Sequence, residues 1–230
     1  MLTTGVPAAK VALGLPGINI QCVKAGLAAG TFNRRTRYLA AESDADTMQN
    51  IQRKMARLSF YTQPWYHLGA LETLCLSTLL GPARLNYAFL DFCSPMNAVR
   101  AHWLREQFAP QLEAGSQFAI TINRAPRNAR FPVQVRDYLQ HMPTVTTARR
   151  ALAAIGDYTQ ATLVNTAMML DIMKQYVLAL EDFVEYANGN SGMLALRFSI
   201  LATHNTPTRR TLIDRLIDNR EDFAHFLMGK

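Results

Sequence analysis

The chain has 230 residues, 49% of them hydrophobic and 18% charged, a composition that fills one ordinary core and excludes a disordered chain or a coiled coil. No apolar run approaches the ~18 residues that cross a bilayer, and the Gly/Pro-broken start is no secretory core, so a cytoplasmic location without a membrane partner is expected. Its 24 Lys+Arg against 17 Asp+Glu, a formal charge of +7, point towards anionic partners.

Lys10 to Gly17 predicts a short strand broken by a tight turn, and Ile18 to Ala29 carries apolar residues at helical spacing (Ile20, Val23, Leu27). Gly14 and Gly17 either turn the chain or let backbone amides approach a ligand, and amides at a helix N-terminus favour negative groups. Thr36 to Ala41 predicts a second strand that stops at Glu42. The helix after it, Asp46 to Leu58, has an acidic first turn and a basic far end at Arg53, Lys54 and Arg57, which suits the helix dipole. Glu42 lies about 25 residues beyond the glycine turn, near the ~20-residue interval at which an acid binds a ribose hydroxyl in nucleotide sites. The alternative role is a helix cap, for which Ser43 and Asp44 compete.

Ser59 to Gly69 predicts a third strand and a loop, whose Trp65, Tyr66 and His67 either flank an adenine-like ring or pack. Leu71 to Leu80 reads as an apolar helix stopped by Gly81-Pro82. Leu85 to Leu90 is the central buried strand and ends abruptly at Asp91, followed by the loop Phe92 to Met96. Ligands in open α/β sheets bind beyond such strand ends, which makes Asp91 the first candidate. Its alternative is to cap the next helix, Asn97 to Phe108. Ser116 to Asn123 predicts a fifth strand, followed by the basic Arg124, Arg127 and Arg130.

Phe131 to Leu139 and Thr147 to Ile155 read as helical. Tyr158 to Leu180 is a nearly all-round apolar helical stretch, in one or two pieces, with its methionines as core fillers. Asp182 to Tyr186 and Met193 to Leu201 predict a hairpin around an Asn-Gly turn, and Thr206 to Met228 a terminal amphipathic helix. The expected organisation is therefore a domain over 1–205 and a helical extension over 206–230. Cys22, Cys75 and Cys93 are odd in number and far apart, so neither a disulfide framework nor a metal site is expected, and the thiols are read as reduced packing residues.

On these residues the chain resembles the class I S-adenosylmethionine-dependent methyltransferases, most of all the compact members carried by phages and plasmids, which implies a host's cytoplasm where the gene is viral. Lys10 to Gly17 is similar to the family's first strand and cofactor loop. Tyr38 to Glu42 is similar to its second strand with the ribose-binding acid, Leu85 to Pro95 to its fourth strand, and Asp182 to Leu201 to its reversed terminal strands. The resemblance implies a Rossmann-like α/β fold: a seven-stranded, mostly parallel sheet with a reversed C-terminal hairpin and helices on both faces. It implies S-adenosylmethionine as cofactor, held by Gly14, Pro16, Gly17, Glu42, Ser43, Gly69, Ala70 and Asp91, with Asp91 also catalytic.

Two motifs depart from the family. The loop reads Ala12-Leu13-Gly14-Leu15-Pro16-Gly17, without the acid that normally precedes the glycines. Asp91 to Met96 lacks the Pro-Pro-aromatic motif of enzymes that methylate exocyclic base amines. Two functions follow. One is a methyltransferase acting on nucleic acid or another anionic substrate. The other is a catalytically inactive protein that keeps the fold as a nucleic-acid-binding or protein-interaction module. DNA or RNA is the expected partner, through Arg34, Arg35, Arg124, Arg127 and Arg130, and the oligomeric state is left open.

Overall fold

The structure, a computed structural model, describes residues 9–92, 94, 96, 98–123, 143–188 and 191–203. The helices expected over 131–139 and 206–228, the boundary at 205/206, Cys93 and the arginines at 124, 127 and 130 lie outside the described residues. The strands are β1 (Ala9–Gly14), β2 (Phe32–Glu42), β3 (Trp65–Leu68), β4 (Leu85–Asp91), β5 (Leu112–Asn123), β6 (Tyr176–Asn188) and β7 (Ser191–Thr203). They form a seven-stranded sheet in the order β3-β2-β1-β4-β5-β7-β6. β2, β1, β4 and β3 pair in parallel, whereas β6 and β7 are antiparallel, which is the mostly parallel sheet with a reversed terminal hairpin expected above. The chain divides into two compact units, one holding the residues up to Asp91 with Gln111–Phe118, the other Phe92–Pro110 and the residues from Ala119 on.

In the first unit the strands alternate with helices α1 (Gln21–Ala28), α2 (Ala45–Ala56) and α3 (Leu76–Leu80). Alternate residues of a strand face one side of a sheet, and Ala12, Tyr38 and Ala40 share one face with Ile20 and Val23 beside them and Ile51 and Met55 of α2. Each large side chain buried there stabilises the fold by roughly 1.5–3 kcal/mol. Strand β2 starts four residues earlier than its apolar run suggested, because a bulge lets its polar beginning stay paired. Between Ala9↔Phe32 and Val11↔Arg37, β1 advances by two residues and β2 by five. The Thr36 hydroxyl accepts the Asn33 amide and the Asn33 side chain accepts the Arg35 amide, holding Arg34 and Arg35 out in solvent.

The single helix expected over Leu71 to Leu80 is not formed. A 3₁₀ turn, Leu71–Thr73, is followed by extended Leu74 and Cys75, and only then by α3. Leu71, Leu74, Leu76 and Leu80 are all buried, and that spacing fits no single helical stripe. The extended pair resets the phase so that Leu76 and Leu80, four apart, face the core together.

In the second unit α4 (Ala98–Trp103) runs into a π-helical turn, Leu104–Phe108, and a 3₁₀ turn, Ala109–Gln111. The wider turn rephases the chain so that Trp103 and Phe108 stack, their ring centroids 5.9 Å apart. α5 (Pro143–Ile155) opens on its proline, as the missing N–H at a first helical position allows. α6 (Gln160–Ile172) is buried nearly all round by Leu163, Val164, Ala167, Met168, Met169 and Ile172, and it packs with α5.

The helical reading of Tyr158 to Leu180 is corrected at its far end. The helix stops at Met173 and β6 begins at Tyr176, making β6–β7 a long hairpin paired from Tyr176↔Thr203 to Asn188↔Ser191. Val177, Leu178, Ala179 and Leu180 are apolar at every position, so no period separates strand from helix there. Among the described residues no helix is long and apolar enough to cross a membrane.

Candidate functional site

Parallel strands end on one edge of their sheet, and the register of the first unit fixes which residues meet there. Gly14 at the end of β1 is level with Ala40 of β2 on one side and Phe89 of β4 on the other. Glu42 and Asp91 each lie two residues further along. Glu42 is level with Leu68 of β3, and the amide of Gly69 donates to the Glu42 carbonyl at 2.8 Å. The Leu15 amide donates to the Phe89 carbonyl, so the loop leaving β1 turns over towards β4. Gly14, Pro16, Gly17, Glu42, Ser43, Gly69, Ala70 and Asp91 are thus brought to the carboxyl-end rim of β3, β2, β1 and β4. Two strand spacings separate Glu42 from Asp91, about 10 Å.

Glu42 is half-buried and its loop is organised around it. Its Oε1 accepts the amides of Ser43 at 2.7 Å and Asp44 at 3.0 Å, and the Ser43 hydroxyl at 3.3 Å. The competition for the helix cap is resolved in favour of Asp44, whose Oδ1 accepts the Thr47 amide at 2.8 Å. Hydrogen bonding from the Thr47 side chain, and then from its amide, favours the charged form and lowers the Asp44 pKa. Glu42 is therefore no cap. It is a carboxylate pinned by one oxygen beside a polar loop. Beyond β3, Gly69 has φ +150, a region open mainly to glycine. His67 Nε2 lies 3.3 Å from the Ala70 carbonyl and 3.2 Å from the Thr73 hydroxyl, so it braces this turn. Tyr66 packs on the core, and Trp65 carries the Arg37 guanidinium at 4.7 Å from its centroid. The three aromatic rings are thus held by protein contacts.

The loop after β1 contains the least expected feature. A Cβ on Gly14 would overlap the Tyr38 hydroxyl and stand 3.1 Å from Tyr38 Cζ, so this glycine makes room for a buried tyrosine. Burial pushes the Tyr38 phenol well above its ordinary pKa. Gly17 is different: φ is +56 and nothing stands within 4 Å of the point where a Cβ would lie, leaving its surface open. Pro16 is buried. Ile20, a β-branched residue, adopts φ 48 just before α1 and is almost fully buried, so the apolar burial of its side chain offsets a strained backbone. Lys54 of α2 donates to the Ile18 carbonyl at 2.6 Å and fastens the same loop.

Asp91 is the half-buried last residue of β4, while α4 begins only at Ala98. Its alternative role as the cap of that helix therefore falls. Its charge contributes to raising the Cys22 pKa, after burial, the largest cause. In the second unit, the segment that follows is held by Arg100, which is buried. The Arg100 guanidinium lies 4.0 Å over the Phe92 ring and donates to the Ser94 hydroxyl at 2.8 Å. The Phe92 amide donates to Thr121 and the Asn123 amide to Ser94.

Tyr38 and Lys54 in the first unit, and Arg100 in the second, are residues whose roles local spacing did not show. Tyr38 was legible only as strand filler, and Arg100 as one polar position of an amphipathic helix. Cys75 also differs from expectation. It is exposed rather than packed, and the Ser77 and Thr78 hydroxyls, at 3.4 and 3.1 Å from its sulfur, lower its pKa to about 7. Among the described residues no group of three or more His, Cys, Asp or Glu side chains is placed to hold a metal ion.

No protein-family model matches the chain, and no curated protein matches it in sequence. Solved structures do resemble it in fold. One is TYW2 of P. horikoshii in complex with MeSAdo, 7% identical with a TM-score of 0.49, covering 86% of this chain and 60% of that one. Another is the magnesium protoporphyrin IX methyltransferase ChlM of Synechocystis with bound SAH, 9% identical, TM-score 0.47, covering 86% of this chain and 76% of that one. A third is the O-methyltransferase of Bacillus cereus in complex with SAH, 9% identical, TM-score 0.46, covering 82% and 74%. The chain thus spans about 60% of the length of TYW2.

Proposed function

We propose that the chain binds S-adenosylmethionine over the rim of β2, β1 and β4 and transfers its methyl group to a nucleic-acid or other anionic acceptor. One observation carries the reading: Glu42, pinned by the Ser43 and Asp44 amides, and Asp91 flank the end of β1 about 10 Å apart, a span suited to one adenosine-sized molecule. The residues fit such a group. A carboxylate at the end of the second strand is an acceptor for ribose hydroxyls, Gly69 and Ala70 offer main chain beside it, and Gly17 exposes backbone without a side chain. A cytoplasmic location, in a host cell where a phage or plasmid carries the gene, belongs to the same reading.

S-adenosylmethionine, when bound, supplies a methyl group carried on a positively charged sulfur. The chain's own contribution is positioning, which provides much of the acceleration in such transfers. Glu42 accepts hydrogen bonds from the ribose hydroxyls and so orients the bound molecule. Asp91 orients the acceptor or takes its proton at the carboxylate. The missing Pro-Pro-aromatic motif after Asp91 argues against an exocyclic base amine as acceptor.

Calorimetric titration tests the reading. The expected result is micromolar binding of S-adenosylmethionine, weakened about 10- to 100-fold in Glu42→Gln, which keeps the loop's acceptor oxygen but removes the charge. In a methyl-transfer assay on cellular RNA or DNA, Asp91→Asn lowers kcat by about 10²–10⁴-fold. A second reading, the inactive module, is favoured by one observation. The space beside Gly14 serves Tyr38, so that glycine gives no support to close approach by a ligand. Absence of cofactor binding, together with salt-sensitive binding of nucleic acid, favours that reading.

A further inference from the structure

We infer that the first unit carries a single-stranded nucleic-acid contact at the amino-end edge of its sheet, remote from the rim described above. The bulge at the start of β2 projects Arg34 and Arg35 into solvent. The amide of Tyr61 donates to the Arg34 carbonyl at 2.8 Å, which brings that tyrosine to the bulge, and it is 74% exposed. Two residues beyond Arg35, the guanidinium of Arg37 lies over the Trp65 ring of edge strand β3. Lys10, exposed at the start of β1, flanks the bulge. Cations and a projecting aromatic ring therefore lie together along one edge. Arg34 stands eight residues before Glu42 on the same strand, about 25 Å away.

This chemistry recognises an unpaired polynucleotide rather than a duplex or an acidic peptide. Guanidinium and ammonium groups track the phosphates, while a projecting ring takes up the face of a base, which a duplex hides and a peptide lacks. Lys10, Arg34 and Arg35 make this end of β1 and β2 basic. The Glu113 carboxylate accepts from the Asn86 side chain, whose oxygen in turn accepts the Lys10 and Val11 amides, so it stands on the β4–β5 side of the edge, three strands from Arg34. The carboxylates of Glu42, Asp44 and Asp91 belong to the opposite rim.

Fluorescence anisotropy with labelled oligouridylate and oligothymidylate of about 12 nucleotides, on the full chain, tests the inference. Tyr61→Ala is expected to weaken binding about 5- to 100-fold while Tyr61→Phe keeps it. Arg34→Ala and Arg35→Ala each lower the dependence of log K on log salt by about one. Inorganic polyphosphate serves as the charge-only control, and its affinity is unchanged by Tyr61→Ala. Equal oligonucleotide affinity for wild type and Tyr61→Ala, or tighter binding of a duplex of the same length, overturns the inference. Cofactor titration of Tyr61→Ala reports separately on the rim, so failure here leaves the proposed activity standing and the converse also holds.

Discussion

The hydroxyl of Tyr38 occupies the volume that a side chain at Gly14 would need. The ring is buried on the α1 and α2 face of the sheet, and its oxygen comes within 3.9 Å of the Cys22 sulfur beneath the loop that leaves β1. A residue that reads as part of a ligand-binding loop is in this respect a packing partner.

Gly14→Ala is therefore expected to destabilise the protein by about 2–3 kcal/mol through overpacking. Tyr38→Phe, which removes only the overlapping oxygen, recovers at least half of that loss in the double mutant. Urea denaturation of the four variants measures the coupling. Strictly additive losses would show that the two residues do not share this space.

Arg100 combines a guanidinium over Phe92 with a hydrogen bond to Ser94 in the segment after β4. Arg100→Met is expected to cost about 2 kcal/mol, and Arg100→Lys to restore less than half, because an ammonium cannot both lie flat on the ring and reach the hydroxyl. Denaturation midpoints read the cost, and hydrogen exchange at the Phe92 and Ser94 amides rises in both variants.

Cys75 presents an accessible sulfur whose pKa is lowered to about 7 by hydroxyl donors that stabilise the thiolate. Its alkylation rate should rise with pH through about 7, since the thiolate is the nucleophile. Thr78→Val and Ser77→Ala shift that rise to higher pH. Cys22, raised by burial, reacts more slowly. Peptide mapping after iodoacetamide treatment across pH 5–10 distinguishes the two sites, and faster labelling of Cys22 contradicts the assignment.

Thr159 caps α6: its hydroxyl accepts the Thr162 amide at 3.2 Å and donates to Glu185 of β6 at 2.8 Å. Thr162 donates to the same carboxylate oxygen. Thr159→Ala should cost about 1 kcal/mol, and Thr159→Ser much less, measured by the same denaturation.

Strand ends that finish on a charged residue were the most legible part of the sequence. Glu42 and Asp91 stop apolar runs, and a parallel sheet aligns such ends without further information. The hairpin was legible at its turn, where Asn188 and Gly189 break the pattern, and illegible at its base. There Val177 to Leu180 offer neither a helical nor an alternating period. The polar start of β2 was invisible for a related reason: Asn33, Arg34 and Arg35 suit a loop, and only the side-chain bonds of Asn33 and Thr36 keep them in a bulged strand. In the site, the meaning of Gly14 depends on a residue twenty-four positions away, a contact that no local spacing records.

The most direct test of the account is a crystal structure of the protein with S-adenosylhomocysteine at about 1 mM. Both ribose hydroxyls within about 3 Å of the Glu42 carboxylate, with the homocysteine arm over Gly17 towards Asp91, is the expected result. A protein that shows no bound nucleoside at that concentration, or holds it away from the ends of β1 and β2, contradicts it.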